Sequence, residues 1–199
     1  MKLGPRITSL SAALVLVPTA ALAHTGIGRA GGFMHGFTHP ISGIDHVLAM
    51  ILVGIFAYQL GGRALWLVPA AFVAAMALGG ALGLGHIPVP LVEIGIALSV
   101  IVLGALVATS FRAPVLAASA IVGFFAVFHG FAHGAEMPAN ASAVAYAVAF
   151  LAATAVLHAT GAASGFLLAK VGRRSGSIIM RTAGALGLVA GLGIVGGVL

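Results

Sequence analysis

The chain contains no cysteine and very few charged residues. Its 199 residues include no Cys, only 6% are Asp, Glu, Lys or Arg, and three of these are acidic. The absence of cysteine excludes disulfide bonds, thiolate metal ligands and thiol nucleophiles. Soluble domains carry about 25% charged residues, so this chain has too little polar surface to face water on all sides.

Apolar side chains are what the sequence has in abundance. They make up 61% of the residues, and the mean hydropathy is +1.22. This composition predicts an all-α polytopic membrane protein. The nine Lys and Arg residues are a small excess rather than a basic cluster, so the predicted partner is the lipid bilayer and no nucleic acid is expected.

The first 23 residues have the features of a cleavable signal peptide. Lys2 and Arg6 form a short positive region, residues 7–17 form an apolar run, and Ala21-Leu22-Ala23 supplies the small residues of a cleavage site. Cleavage makes His24 the mature N-terminus and places it outside. The alternative is an uncleaved first helix, although the apolar run is short for a membrane span.

Residues 24–199 then form a single domain with six segments that are long enough to cross a bilayer. Each crossing takes about 20 residues, and stretches rich in Gly or Pro separate the segments. The predicted transmembrane segments are 40–60, 64–84, 90–110, 114–133, 141–169 and 178–199.

The basic residues predict how these segments are oriented. With the mature N-terminus outside, the inner loops hold nearly all of them, as the positive-inside rule requires. The inner residues are Arg63, Arg112, Lys170, Arg173, Arg174 and Arg181, and the outer one is Arg29. We therefore expect a multi-pass protein of the bacterial inner membrane with both mature termini in the periplasm.

Two short stretches concentrate ionisable side chains within this apolar sequence. Charged or imidazole groups at membrane depth are costly, which makes them functional candidates. The groups are His39, Asp45 and His46 in the first stretch, His129, His133 and Glu136 in the second, and His35 just upstream of the first.

The two stretches are predicted to meet because their helices run in opposite directions. His39 near the outer surface is expected to lie level with Glu136. His46, two turns or roughly 10 Å deeper, is expected to lie level with His129 and on the same face of one continuous helix as His39. Glu93, near the start of the third segment, belongs to the same layer. We therefore predict one metal site in the outer half of the membrane.

The residue types limit the chemistry of that site. Imidazoles and carboxylates without sulfur suit Ni²⁺, Co²⁺, Zn²⁺ or Fe²⁺. Asp45 is a ligand or, alternatively, the acceptor of the His46 ring N–H. Glu93 is a ligand or a carboxylate favoured at a helix N-terminus. His24 is an additional outer ligand or part of a mobile tail. No prosthetic group is expected.

The remaining histidines have plainer interpretations. We expect His158, in the fifth segment, to hydrogen-bond to a neighbouring helix toward the inner side, away from the cluster, with a lower relay site as the alternative. His86 is expected to be a solvated loop residue. His35 is either a mobile residue or an outer group that captures metal.

The two motifs resemble those of the HupE/UreJ family of nickel/cobalt permeases. The pattern His-x5-Asp-His is present as His39…Asp45-His46, and Phe-His-Gly-x-Ala-His-Gly-x-Glu is present without departure from Phe128 to Glu136. The resemblance also covers the signal peptide, the exposed His after cleavage and the six helices. It implies a secondary transporter that takes up Ni²⁺ or Co²⁺ for hydrogenase, urease or cobalamin, with hydrogenase or urease maturation proteins as downstream partners.

Two other functions fit the same residues. An intramembrane zinc-dependent hydrolase uses His and carboxylate ligands to activate water, although the stretch from His129 to His133 lacks the glutamate of His-Glu-x-x-His. A membrane protein that binds metal without transporting it also fits.

Overall fold

The computed structural model describes residues 31–139 and 141–199. The predicted signal peptide and His24 lie outside the described residues. In the described part the chain forms seven α-helices. They are α1 (Gly31–Ser42), α2 (Ile44–Leu60), α3 (Ala64–Leu84), α4 (Val92–Thr109), α5 (Val115–Ala135), α6 (Ala143–Lys170) and α7 (Arg173–Val195).

The helices have the length and composition of membrane spans. Five of them are long and apolar enough to cross a bilayer, and the bent pair α1–α2 counts as a sixth span if its two helices are taken together. Large apolar side chains such as Trp66 and Leu116 are 76% and 83% exposed on the outside of the bundle. Soluble proteins rarely expose extended apolar surface of this kind, which agrees with the predicted polytopic membrane protein.

The first predicted span is broken, which corrects the expectation of one continuous helix. The axes of α1 and α2 differ by 79°. Pro40 lies inside α1 and has no N–H to donate, and Gly43 between the two helices is extended, with φ −87° and ψ 120°. The Gly43 carbonyl accepts the Val47 N–H at 3.0 Å and so starts α2. His39 and His46 therefore lie on different helices, not on one face of the same helix.

Helices α3 and α5 form the closest pair in the bundle. A Cβ atom at Gly130 would overlap the carbonyl oxygen of Met76, and one at Gly134 would overlap that of Gly80. Glycine at these two positions of α5 therefore allows backbone-to-backbone contact with α3. The contact fixes how far His129 and His133, on the same helix, project into the bundle.

The bundle has two chemically different ends. We call the end where α2, α4 and α6 finish the basic end. There Arg112 Nη1 donates to the Gln59 carbonyl at 2.7 Å, and Arg181 Nε donates to the Ala108 carbonyl at 2.8 Å. Both arginines bind carbonyls in the last turn of a helix, where a cation also favours the helix dipole. The opposite end, where α2 and α4 begin and α5 finishes, is called the site end.

Candidate functional site

The acidic residues of the chain meet at the site end. Asp45 in the first turn of α2, Glu93 in the first turn of α4 and Glu136 just after α5 all line one cavity of about 200 Å³. They are the three acidic residues that the sequence contains. A water molecule takes up about 30 Å³ in the liquid, so the cavity has room for a metal ion that keeps several of its waters.

An imidazole–carboxylate pair lies at the mouth of this cavity. His39 Nε2 lies 2.8 Å from Glu136 Oε2, and the two side chains are 28% and 56% exposed. The hydrogen bond from His39 holds the pKa of Glu136 below its ordinary value, against a smaller opposing effect of burial. His35 stacks on His39 with ring centroids 5.3 Å apart and on Tyr146 at 6.0 Å, so it supports the pair from α1.

Four imidazoles form a continuous row from the mouth into the bundle. His39 contacts His133 with ring centroids 5.0 Å apart, His133 contacts His46 at 4.3 Å, and His46 contacts His129 at 4.5 Å. The two residues contributed by α5 are almost completely buried, His133 at 2% exposure and His129 at 0%. The row therefore leads from a half-exposed pair to a ring without solvent contact.

Asp45 orients the imidazole of His46. Asp45 Oδ1 accepts the His46 backbone N–H at 2.7 Å and lies 3.2 Å from His46 Nδ1. A carboxylate accepts only, so Nδ1 carries the proton and donates it. His46 Nε2 is buried and has no hydrogen-bond partner among the described residues, which leaves its lone pair available to a metal ion.

Ser99 on α4 orients the imidazole of His129. The Ser99 hydroxyl donates its one hydrogen to the Ile96 carbonyl at 2.6 Å, and its oxygen lies 2.8 Å from His129 Nε2. His129 Nε2 must therefore be the protonated nitrogen and donate to Ser99. The other nitrogen, Nδ1, is buried with no partner in the described part of the chain, and so is a free ligand atom.

Comparison with known proteins shows to which family the chain belongs. Residues 12–194 match the family described as HupE / UreJ protein. The chain is 45% identical over 192 residues to Protein HupE of Rhizobium leguminosarum bv. viciae, and the match covers 96% of this chain and 98% of that protein. The chain belongs to the HupE/UreJ family. This is a transporter family, generally related to nickel and cobalt. No solved structure matches the chain.

In this HupE/UreJ chain the described side chains around the cavity do not form a complete coordination sphere. Among residues 31–139 and 141–199, no three His, Asp or Glu side chains are placed to hold one ion together. Both ring nitrogens of His133 are buried without partners among those residues. Two other possible metal-ligand atoms, His39 Nε2 and Glu136 Oε2, are hydrogen-bonded to each other. Side chains around the cavity must therefore turn, and this pair must open, before an ion can be bound by several of them.

The expected juxtapositions are present in this HupE/UreJ chain. His39 lies beside Glu136, and His46 lies beside His129. The position of Glu93 agrees with both of its interpretations, as a ligand and as a carboxylate at a helix N-terminus. It lines the cavity and lies in the first turn of α4. His86 is exposed in the turn before α4, as expected. That these side chains ligate a metal stays a prediction.

Two expectations for single histidines were wrong or incomplete. His158 has no hydrogen-bond partner for either ring nitrogen among the described residues, and it lies edge-on to Phe72, which also contacts His129. It is therefore close to the row rather than away from it. His35 is not on a loose tail but stacked on His39.

Ser99 is a candidate site residue that sequence reasoning missed. It is completely buried and oriented toward His129. The signal for it was weak, because one hydroxyl in the apolar helix α4 is compatible with bonding to its own backbone. Only the packing of α4 against α5 reveals its second contact.

Proposed function

We propose that the chain is a secondary transporter that takes up Ni²⁺ or Co²⁺ from the periplasm into the cytoplasm of a bacterial cell. The observation that carries this proposal is the arrangement of all three carboxylates around one cavity from which a row of imidazoles leads into the bundle. A buried row of ligand-type side chains is costly in a membrane protein and is suited to the passage of a cation.

Capture takes place at the mouth of the cavity. A hydrated divalent cation approaches the exposed carboxylates of Glu93 and Glu136, whose negative charge offsets its own. The ion displaces the hydrogen bond between His39 and Glu136, since both atoms of that bond are ligand atoms. His24 of the mature N-terminus assists as a further outer ligand in this proposal.

Transfer inward uses the nitrogens that other groups leave free. His133 offers two unpartnered nitrogens, His46 offers Nε2 and His129 offers Nδ1, as counted among the described residues. Asp45 balances the charge of the ion while it holds the His46 ring. Each step moves the ion between rings whose centroids lie at most 5.0 Å apart, so it exchanges ligands without a long unligated passage.

The distribution of charge supports the proposed orientation. The basic end carries Arg63, Arg112, Lys170, Arg174 and Arg181, whereas the site end carries the three acids. Basic residues mark the cytoplasmic side of membrane proteins. We therefore orient the cavity toward the periplasm of the inner membrane, with both mature termini on that side.

The choice of ion follows from the ligand types together with the family. Imidazole and carboxylate suit several borderline divalent ions, Zn²⁺ and Fe²⁺ included. The relation of HupE/UreJ proteins to nickel and cobalt transport selects Ni²⁺ or Co²⁺ as the cargo to test first.

Uptake into proteoliposomes tests the proposal. We expect purified protein to accumulate radioactive Ni²⁺ or Co²⁺ inside vesicles, and His133→Ala to reduce the initial rate at least tenfold because it removes the ring that contacts both His39 and His46. His86→Ala is the matched control, since His86 is exposed outside the cavity, and it should leave the rate unchanged.

Three results would contradict the proposal in different ways. Tight metal binding without accumulation inside the vesicles would indicate a metal-binding protein that does not transport. Bound Zn²⁺ together with cleavage of a peptide or lipid would indicate a hydrolase. Accumulation that is unaffected by His133→Ala would show that the ion takes another route.

A further inference from the structure

His158 is a buried imidazole that the proposed route has not used. It lies in the middle of α6 and is 2% exposed. Neither of its ring nitrogens has a hydrogen-bond partner among residues 31–139 and 141–199. A buried polar group without a partner destabilises the folded protein, so an apolar side chain would fill this position better if the ring served packing alone.

The position of His158 continues the row of imidazoles. The ring of Phe72 on α3 lies edge-on to His158 with centroids 5.0 Å apart, and the same phenyl ring contacts His129 at 5.8 Å. Phe72 is completely buried. His129, the innermost ring of the row, and His158 therefore contact the same aromatic side chain.

Two further side chains with possible ligand atoms lie one helical turn away, on α6 and α3. Thr154 precedes it by one turn of α6 and is buried. The Thr154 hydroxyl donates to Met76 Sδ at 3.6 Å, and Met76 follows Phe72 by one turn of α3. A hydroxyl and a thioether thus lie together between α3 and α6, one helical turn from His158 and Phe72 toward the site end.

We propose that His158 forms a second, inner binding site for the transported divalent cation, linked to His129 by their shared contact with Phe72. This inference rests on the proposed function. The two sites differ in charge, because all three carboxylates of the chain belong to the outer cavity and the side chains around His158 are neutral. A cation is held more weakly by neutral ligands than by ligands that include carboxylates, so the inner site favours release toward the basic end.

Two variants of His158 distinguish a role in metal binding from a role in packing alone. His158→Leu fills the space with an apolar side chain and removes both ring nitrogens. His158→Cys supplies a different metal-ligand atom, a thiol sulfur. The control is Thr160→Val, on the same helix, where the hydroxyl is exposed and bonds only to the Val156 carbonyl of its own helix.

The first experiment measures uptake and binding on the same purified proteins. For His158→Leu we expect equilibrium Ni²⁺ binding in detergent within twofold of the wild type, because His158 does not line the outer cavity, but an initial uptake rate in proteoliposomes at least tenfold lower. His158→Cys should retain more uptake than His158→Leu, and Thr160→Val should behave as the wild type. Wild-type uptake by His158→Leu, or loss of its equilibrium binding, would overturn the inner site.

The second experiment detects the ion at the site without relying on uptake. The chain has no cysteine of its own, so His158→Cys carries a single thiol. Cd²⁺ should slow modification of this thiol by a small methanethiosulfonate reagent at least fivefold, while Mg²⁺ should not. Equal modification rates with and without Cd²⁺ would overturn the proposal. A wild-type protein that accumulates neither Ni²⁺ nor Co²⁺ would instead overturn the proposed function and this inference with it.

Discussion

At the scale of single residues, the partners of the imidazoles determine which nitrogen is free. Asp45 accepts from Nδ1 of His46, and Ser99 accepts from Nε2 of His129. The two rings consequently offer different nitrogens to the cavity. A hydrogen bond to the far nitrogen fixes the tautomer and makes the near nitrogen a better ligand.

Removing the Ser99 hydroxyl tests this explanation. We expect Ser99→Ala to raise the Ni²⁺ concentration for half-maximal uptake by about tenfold or more, because His129 loses the acceptor that fixes its tautomer. The measurement is the concentration dependence of the initial uptake rate. Ser164→Ala is the control, since the Ser164 hydroxyl bonds only to the Thr160 carbonyl of its own helix. An unchanged half-saturation concentration in Ser99→Ala would mean that Ser99 does not orient His129.

At the scale of helices, two features bring the row together. The break at Gly43 turns α1 away from α2, so that His39 reaches Glu136 at the end of α5. The glycines of α5 let that helix lie directly on α3. Neither feature changes the chemistry of a ligand, yet both decide which ligands meet.

Substitution of a glycine in α5 shows how much the contact with α3 matters. Gly130→Ala places a Cβ against the Met76 carbonyl oxygen, a backbone atom that cannot turn aside. Overpacking of this kind costs about 1–3 kcal/mol, more than the roughly 1 kcal/mol gained from the helix propensity of Ala. We expect the melting temperature in detergent to fall by about 4 °C or more.

Gly123→Ala on the same helix is the matched control. Its Cβ would meet the Ala75 side chain at 3.7 Å and the Ala71 carbonyl at 3.9 Å, which are ordinary contacts. This variant should melt at or above the wild-type temperature. Equal melting temperatures for the two variants would argue against close contact between α3 and α5 at Gly130.

At the scale of the whole molecule, charge is divided between the two ends. Arginine side chains bind helix carbonyls at the basic end, and the three acids surround the cavity at the other. The division serves two purposes in the proposed transporter. It orients the protein in the membrane, and it concentrates negative charge where a cation arrives.

The pH dependence of uptake follows from this arrangement. A metal ion binds only unprotonated imidazole, and the ordinary imidazole pKa is about 6.5. We expect the initial uptake rate to fall by about tenfold or more when the external pH is lowered from 7.5 to 5.5 at constant internal pH. Uptake that rises or stays constant over this range would contradict capture of the ion by a solvent-accessible imidazole.

Glu136 should not contribute to that loss. The hydrogen bond from His39 lowers its pKa from the ordinary value of 4.5. The stability that ionised Glu136 gives to the folded protein is therefore fully present above its ordinary pKa. That stability is lost only as the pH falls through the lowered pKa of the folded state. Glu136 should consequently add little to any change in melting temperature between pH 7.5 and 5.5. A melting temperature at pH 5.5 that lies below the temperature of the uptake assay would assign the loss of uptake to unfolding instead.

The sequence was sufficient for the features that depend on solvation. Apolar composition and the spacing of breakers predicted a polytopic helical protein, and the two motifs predicted which imidazoles and carboxylates lie close together. The level of His46 with His129 also followed, because antiparallel helices of known rise leave little freedom in depth. His39 meets Glu136 although the continuous helix expected to carry it is broken.

The tertiary structure decided the features that depend on close packing. The break at Gly43, the second contact of Ser99 and the approach of His158 to Phe72 each arise where helices distant in sequence touch. Periodicity along the chain describes one helix and its solvent, and cannot specify which atom of a neighbouring helix fills the space beside it. The sequence by itself therefore determined the membrane class and the ligand types, and the packing of α4, α5 and α6 decided which nitrogens are free and how far the row extends.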